Sequence, residues 1–141
     1  MATYNWGVDR TFKAGMPNLG DYQYGFVKLG GTAACMVINA STIGGSVLGV
    51  LQNDPKSASD LAVVRVAGFT KIRVDTENAA SPVIAGQWVK SASNGWAIGC
   101  RADKFAVAAS TWCTGIALEN IASGSGQYIE IYLKPLMLPR T

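Results

Sequence analysis

Short stretches of this chain alternate between apolar and polar residues, which is the period expected for β-strands with one buried face. Phe69, Lys71 and Arg73 share one face of a predicted strand, and apolar neighbours occupy the other. The sequence Tyr-Ile-Glu-Ile-Tyr-Leu, from Tyr128 to Leu133, alternates in the same way, with tyrosine and glutamate opposite an apolar face. These patterns predict strands that each contribute one side to a core.

Similar stretches recur through most of the chain at intervals of about 8–12 residues, separated by turns rich in glycine, asparagine and proline. Asn94–Gly95, between two such stretches, is a strong hairpin signal. Parallel α/β architecture is disfavoured because the long helices that would join parallel strands are missing. The pattern therefore predicts a mainly β domain over residues 24–134, a small β-barrel or β-sandwich of about nine or ten short strands.

Two segments of the predicted domain resemble each other. Gly49–Val66 and Gly115–Tyr132 each begin with a glycine and an apolar stretch, pass a small polar loop and end in an alternating strand. At an offset of 66 residues, Gly49 aligns with Gly115 and Val63 with Ile129. This similarity predicts an internal pseudo-repeat, in which one β-hairpin unit occurs twice.

The two ends of the chain differ from the predicted domain. Residues 1–23 carry several large apolar side chains without a sustained period, and they predict an extended N-terminal arm. Such an arm either packs back on its own domain or becomes ordered against a partner. Residues 135–141 begin at Pro135, which is expected to end the last strand and to leave an apolar C-terminal tail.

Composition narrows the possible functions. The chain has 141 residues, of which 49% are hydrophobic and 15% charged, and its net charge is +3. Lys71, Arg73 and Arg65 form at most a weak basic stripe, so an exposed strand face is favoured over direct nucleic-acid binding. No stretch approaches the roughly 20 apolar residues of a membrane span, and no export signal is recognisable.

Groups suited to catalysis are scarce. The sequence contains no histidine, which excludes Ser-His-Asp and Cys-His pairs and histidine-based metal sites. Asp75 and Glu77 are close in sequence, but they are interpreted as solvated loop carboxylates rather than a catalytic pair. We therefore expect no enzyme activity, no cofactor and no metal.

Cysteine and tryptophan leave two questions open. The three cysteines lack zinc-site spacing and suit a reducing cytoplasm, and the sequence does not decide whether Cys100 and Cys113 pair. Trp88 and Trp96 flank the predicted turn and could face each other across it. Cross-strand aromatic pairs usually serve structure, although an exposed pair would suit a carbohydrate-binding or host-adhesion module, which is the alternative function.

Four stretches of the chain resemble the capsid decoration (cement) proteins of tailed bacteriophages. They are GVLQNDP, VVRVAGFTKIRVD, AGQWVKSASNGWAIG and GIALENIASGSGQYIEIYL, and the resemblance runs from about Val47 to Leu133. The resemblance is one of pattern and contains no catalytic motif. The first 23 residues lie outside it.

This resemblance implies a structural protein of the virion. Such a protein would be made in the host cytoplasm, bind the outer surface of the assembled head and clamp neighbouring subunits of the major capsid protein, commonly as a homotrimer, without contacting nucleic acid or membrane. Because the N-terminal arm and the C-terminal tail are suited to reach across subunit boundaries, the predicted partner-interface residues are Tyr4, Trp6, Phe12, Leu136, Met137 and Leu138.

Overall fold

The structure is a computed structural model, and it describes residues 7–75, 83–100, 111–121 and 127–138. These residues form nine strands and one short 3-10 helix at Leu19–Tyr22. The strands are β1 Gly7–Ala14, β2 Phe26–Leu29, β3 Met36–Asn39, β4 Gly49–Leu51, β5 Leu61–Arg73, β6 Trp88–Ser91, β7 Ala97–Gly99, β8 Thr111–Ala117 and β9 Tyr128–Leu138. The prediction of a mainly β fold is confirmed. The helix has four residues, far fewer than a membrane-spanning helix needs.

The nine strands belong to one hydrogen-bonded sheet in the order β1-β3-β2-β4-β5-β9-β8-β6-β7. An additional antiparallel pairing between β1 and β5 joins the first five strands of this order into a ring of pairings, which we call the first ring. β1 pairs with β3 in parallel, and the other neighbours in the ring are antiparallel.

A second ring of pairings uses the C-terminal half of β5. There β5 pairs with β9, and β9, β8, β6 and β7 follow one another through antiparallel pairings. A parallel bridge between Val74 and Ala97 connects the end of β5 back to β7. The long strand β5 therefore belongs to both rings.

The two rings have equivalent registers, which confirms the internal pseudo-repeat. Phe26 pairs with Val50 in the first ring as Trp88 pairs with Ile116 in the second. The parallel contacts that close the two rings are also equivalent. Ala14 of β1 pairs with Val37 of β3 in the first ring, and Val74 pairs with Ala97 of β7 in the second. The repeat thus extends beyond the hairpin found in the sequence and includes all five strands of each ring.

The register corrects the sequence alignment of the last strand in each ring by one residue. Val50 pairs with Arg65, and its equivalent Ile116 pairs with Tyr132, so Arg65 corresponds to Tyr132. In this alignment Val64 corresponds to Ile131, and both side chains are buried. An offset of 66 residues would instead align Val63 with the buried Ile129. Because a one-residue slip moves every side chain to the opposite face of a strand, that alignment would match outward positions with buried ones.

Each ring has its own buried core. The first core contains Ala14, Leu19, Val27, Val37, Leu51, Ala62 and Val64. The second is larger and includes Ile72, Val74, Val89, Ala97, Ala117, Ile129, Ile131 and Leu133. Phe26 and Val50, on strands of the first ring, also belong to the second core, so the two rings pack against each other.

The predicted N-terminal arm is extended, but over residues 7–14 it forms β1 and lies within the sheet. This outcome corresponds to the alternative in which the arm packs on its own domain. Phe12 is half-buried and packs against the core of the first ring. Tyr4 and Trp6 lie outside the described residues.

The prediction that Pro135 ends the last strand is wrong, because β9 continues to Leu138. Leu136, Met137 and Leu138 pair with residues of β8 and do not form a separate tail. The register shifts by one residue between Cys113 and Gly115, opposite the position of the proline. A β-bulge tolerates a residue that cannot donate a ladder hydrogen bond, which explains how the strand passes the proline.

Candidate functional site

A cleft of about 530 Å³ opens where β5 passes from the first ring to the second. We call it the junction cleft. It is lined by β5 and β9 together with residues that precede β2 and follow β4 and β8, namely Tyr24, Gln52, Arg65, Phe69, Thr70, Lys71, Glu119, Tyr128, Ile129 and Glu130. Ligand pockets commonly have this volume and often lie between structural units.

Aromatic rings and one lysine form the centre of the junction cleft. The rings of Tyr24 and Tyr128 meet edge to face, with their centroids 5.8 Å apart. The Nζ of Lys71 lies 4.1 Å from the centroid of the Tyr24 ring and 5.3 Å from that of Tyr128. Both contacts are within the range of a cation–π interaction, so the two tyrosines hold the ammonium group in place.

The alternation predicted for β5 and β9 is confirmed, and the register brings their outer faces together. Phe69 pairs with Tyr132, and Lys71 pairs with Glu130. The Phe69 and Tyr132 rings lie 5.2 Å apart and are tilted by 46°. Tyr128 is 48% exposed, Tyr132 39% and Phe69 36%, so these strands present aromatic surface to solvent.

Tyr24 has a backbone conformation that is unfavourable for a tyrosine. Its φ is +60°, in the left-handed region that favours glycine. Two backbone hydrogen bonds hold it there, since Tyr24 donates to the carbonyl of Leu51 and accepts from the amide of Arg73. Residues held in this way cluster at functional sites, which makes the junction cleft the leading candidate.

An ion pair supports the wall of the cleft on the side of the first ring. Nε of Arg65 donates to Asp9 at 2.7 Å and its Nη2 donates to the other carboxylate oxygen at 3.0 Å. Nη1 donates to the carbonyl of Phe69 at 2.9 Å. The Arg65 side chain is 7% exposed and crosses the point where Gly7 begins β1, so a side chain at Gly7 would collide with it.

Residues of the GVLQNDP stretch anchor the cleft and the loop beside it. Nε2 of Gln52 donates to the hydroxyl of Thr70 at 2.9 Å, which joins β5 to the end of β4. Asn53 accepts from the amide of Val63 and donates to the carbonyl of Leu61, so it fixes the start of β5. These hydrogen bonds give Gln52 and Asn53 of the stretch a structural role.

Two carboxylates, those of Glu119 and Glu130, also line the cleft. Glu119 accepts a hydrogen bond from the backbone amide of Glu130 at 2.8 Å. With Lys71 and Arg65 in the same cleft, the lining contains two cations and two carboxylates. The cleft is therefore balanced in charge and contains both donors and acceptors.

The predicted tryptophan pair does not form. The β6–β7 register places Trp88 opposite Cys100, and Trp96 lies beside the turn, opposite Ala92. The indole of Trp96 instead lies under the guanidinium of Arg73, whose Cζ is 3.7 Å from the ring centroid. The sequence correctly located the turn, but the two tryptophans sit at different positions along the hairpin.

Asp75 is buried, which corrects its interpretation as a solvated loop residue. Its carboxylate accepts a hydrogen bond of 3.0 Å from Asn94 in the β6–β7 turn. Asn94 also accepts from the amide of Trp96, so Asp75 helps to fix the turn. Its predicted neighbour Glu77 lies outside the described residues.

Cys100 and Cys113 are free thiols with their sulfurs 3.4 Å apart in the interior. Their hydrogen bond and burial raise the pKa of Cys100 well above its ordinary value. The same hydrogen bond lowers the pKa of Cys113. Within the described residues, no three histidine, cysteine, aspartate or glutamate side chains are grouped as a metal site would require.

The junction cleft is separate from Phe12, the one predicted interface residue whose side chain the structure describes. Tyr4 and Trp6 are outside the described residues, Phe12 supports the core of the first ring, and residues 136–138 pair with β8. The cleft itself combines residues from distant parts of the sequence. The alternation in the sequence predicted that β5 and β9 each have one face with polar and aromatic side chains. Only the pairing of the two strands brings these faces together.

This geometry defines a β protein made from a duplicated ring of five strands, with an aromatic cleft where the two rings meet. The sequence matches no family model and no curated protein. Its fold is similar to that of the head fiber gp8.5 N base of bacteriophage phi29, whose crystal structure aligns with a TM-score of 0.60 at 14% sequence identity. The alignment covers 94% of this chain and 98% of the phage protein.

Proposed function

We propose that this chain is a structural protein of a bacteriophage head, which binds the outer surface of the assembled shell. One observation carries the proposal: the likeness to the phi29 head fiber base extends over nearly the full length of both chains. The sequence pattern shared with capsid decoration proteins points to the same place in the virion by an independent route.

In this proposal the duplicated rings act as a rigid body that clamps neighbouring subunits of the major capsid protein and stabilises the shell. Two cores joined through one strand suit a part that must keep its shape under load. Each copy touches several subunits, and occupancy gains from the high effective concentration of repeated sites on a shell. Association into homotrimers would place three copies around a three-fold position. No catalytic step is involved.

The candidates for the capsid interface remain Tyr4, Trp6 and the end of β9. Deleting residues 1–20 would not test them, because the deletion also removes β1 from the first ring. Point substitutions are cleaner. Trp6→Ala removes a large aromatic side chain from the N-terminal segment, and Ile43→Ala is its control because Ile43 is also apolar and is exposed in a loop.

The test is co-sedimentation of the purified protein with assembled heads of the phage that encodes it, compared with free capsid subunits. We expect saturable binding to heads and none to free subunits, with occupancy reduced for Trp6→Ala and unchanged for Ile43→Ala. Binding to free subunits that equals binding to heads would contradict a clamp built for the assembled shell, and absence of binding to either would reject the proposed function.

A further inference from the structure

The two rings offer a comparison within one molecule. Lys71 and Glu130 in the second ring correspond to Thr11 and Val63 in the first, as the paired registers show. The next pair along, Arg73 with Tyr128, corresponds to Lys13 with Leu61. The first ring thus has the same backbone at these positions but neither the aromatic ring nor the carboxylate.

The ring therefore does not require Lys71, Glu130 and Tyr128 for its strand pairing, because the first ring forms with Thr11, Val63 and Leu61 at these positions. Tyr128 is 48% exposed, although an aromatic side chain gains most by burial. Tyr24 keeps an unfavourable left-handed backbone while its ring lines the cleft. Exposed aromatic surface and local strain in one cleft together suggest selection for binding.

The chemistry of the lining selects among ligand classes. A phosphate or nucleic acid would bring negative charge beside Glu119 and Glu130, and Arg65 is already bound to Asp9. A fully apolar ligand would cover the two carboxylates without offering them hydrogen bonds, which is costly. A neutral polyhydroxyl compound suits this lining, since its hydroxyls can donate to the carboxylates and to the side-chain oxygen of Gln52 and accept from Lys71, whereas Nε2 of Gln52 already donates to Val50 and Thr70.

We propose that the junction cleft is a binding site for a neutral saccharide. The apolar face of a pyranose ring packs on the exposed ring of Tyr128, and the sugar hydroxyls are hydrogen-bonded by Glu130, Glu119 and Lys71. The volume of about 530 Å³ accommodates one or two sugar units. This site differs from the predicted tryptophan pair, and the proposal does not rest on a role in the phage head.

The experiment titrates the ¹⁵N-labelled full-length protein with maltotriose, lactose and chitotriose and follows amide shifts by NMR. We expect at least one of these probes to shift the amides of Gln52, Lys71 and Glu130 in a saturable manner. 3′-Sialyllactose and inorganic phosphate are the charged probes, and neither should bind more tightly than lactose. Tighter binding of either charged probe at these residues would overturn the assignment to a neutral ligand.

Tyr128→Ala should weaken binding of the responding sugar by about tenfold or more, the loss expected from one stacking contact. Leu61→Ala is the matched control, because Leu61 occupies the equivalent position in the first ring and is also exposed. Glu130→Gln provides a second test that retains the shape of the side chain and should also weaken binding. If none of the neutral sugars shifts these amides at millimolar concentration, or if both cleft variants bind like Leu61→Ala, the proposal fails.

Discussion

Arg65 and Tyr132 occupy equivalent positions in the two rings but serve different purposes. Arg65 is buried and binds Asp9, its partner on β1, through two hydrogen bonds. At the equivalent pair of the second ring, Phe69 and Tyr132 form an exposed aromatic contact. One copy of the repeat therefore uses this pair to attach a strand, whereas the other leaves it available on the surface.

Asp9→Ala should destabilise the fold, because it removes the carboxylate from a guanidinium that stays buried. Asp9 is 38% exposed, so we expect a loss of about 1–2 kcal/mol in the free energy of unfolding, below the cost of breaking a fully buried pair. Urea denaturation measures it. Lys56→Ala, which breaks only the exposed contact with Asp54, should leave the midpoint unchanged. An equal effect of both variants would contradict the assignment.

The thiols give a second prediction at this scale. Cys35 is exposed, whereas Cys100 and Cys113 are buried. Burial keeps the reagent away from both Cys100 and Cys113, and the raised pKa of Cys100 also deprives that residue of the nucleophilic thiolate. One thiol should react quickly with Ellman's reagent in the native protein, and the other two only after unfolding. Three equal rates in the native state would contradict this packing.

At the scale of elements, the faces of the strands could be predicted from the sequence, but the register could not. Alternation gave the outward residues of β5 and β9 correctly, because one buried face imposes a period of two. The loop between β4 and β5 spans residues 52–60, and the loop between β8 and β9 spans 118–127, which is one residue longer. That extra residue shifts the repeat, and an alignment without gaps cannot detect it.

Because the sequence does not reveal the strand register, it also did not predict the rest of the repeat or the cleft. Phe-Val-Lys-Leu in β2 corresponds to Trp-Val-Lys-Ser in β6, but the hairpin turns that follow differ in length. The cleft was missed because Tyr24, Lys71 and Tyr128 come from three separate elements. The strand passes Pro135 because β9 carries one extra residue opposite β8 at this point, and that irregularity depends on the pairing with β8, which the sequence of β9 alone does not reveal.

β1 provides the prediction at this scale. Deleting residues 1–14 leaves β3 and the first half of β5 without their partner and opens the first core, so the thermal unfolding midpoint should fall strongly or the transition should vanish. Deleting residues 1–6 leaves β1 complete and serves as the control. Circular dichroism follows both. A stable fold after the longer deletion would show that β1 is not part of the first ring.

At the scale of the whole molecule, the shared strand couples the two rings. β5 passes through both, and Phe26 and Val50 of the first ring pack in the second core. One ring cannot lose its structure without exposing the core of the other. The protein should therefore unfold as one cooperative unit even though it contains a duplication.

Leu51→Ala and Ile131→Ala test this coupling, since Leu51 is buried in the first core and Ile131 in the second. Each should cost about 2–5 kcal/mol as a large-to-small core substitution. Both should shift the same single transition, with unchanged denaturant dependence, when unfolding is followed by circular dichroism and by fluorescence. Two separate transitions, each sensitive to only one variant, would show that the rings fold independently.

We propose above that this duplicated β protein is attached to the outside of a phage head. The most direct measurement compares cryo-electron microscopy maps of heads from the phage that encodes the chain with heads from a deletion mutant. The account predicts that the deletion removes density of two joined rings from the outer surface and that adding the purified protein restores it. Identical maps, or loss of density from the tail or the interior of the head, would contradict it.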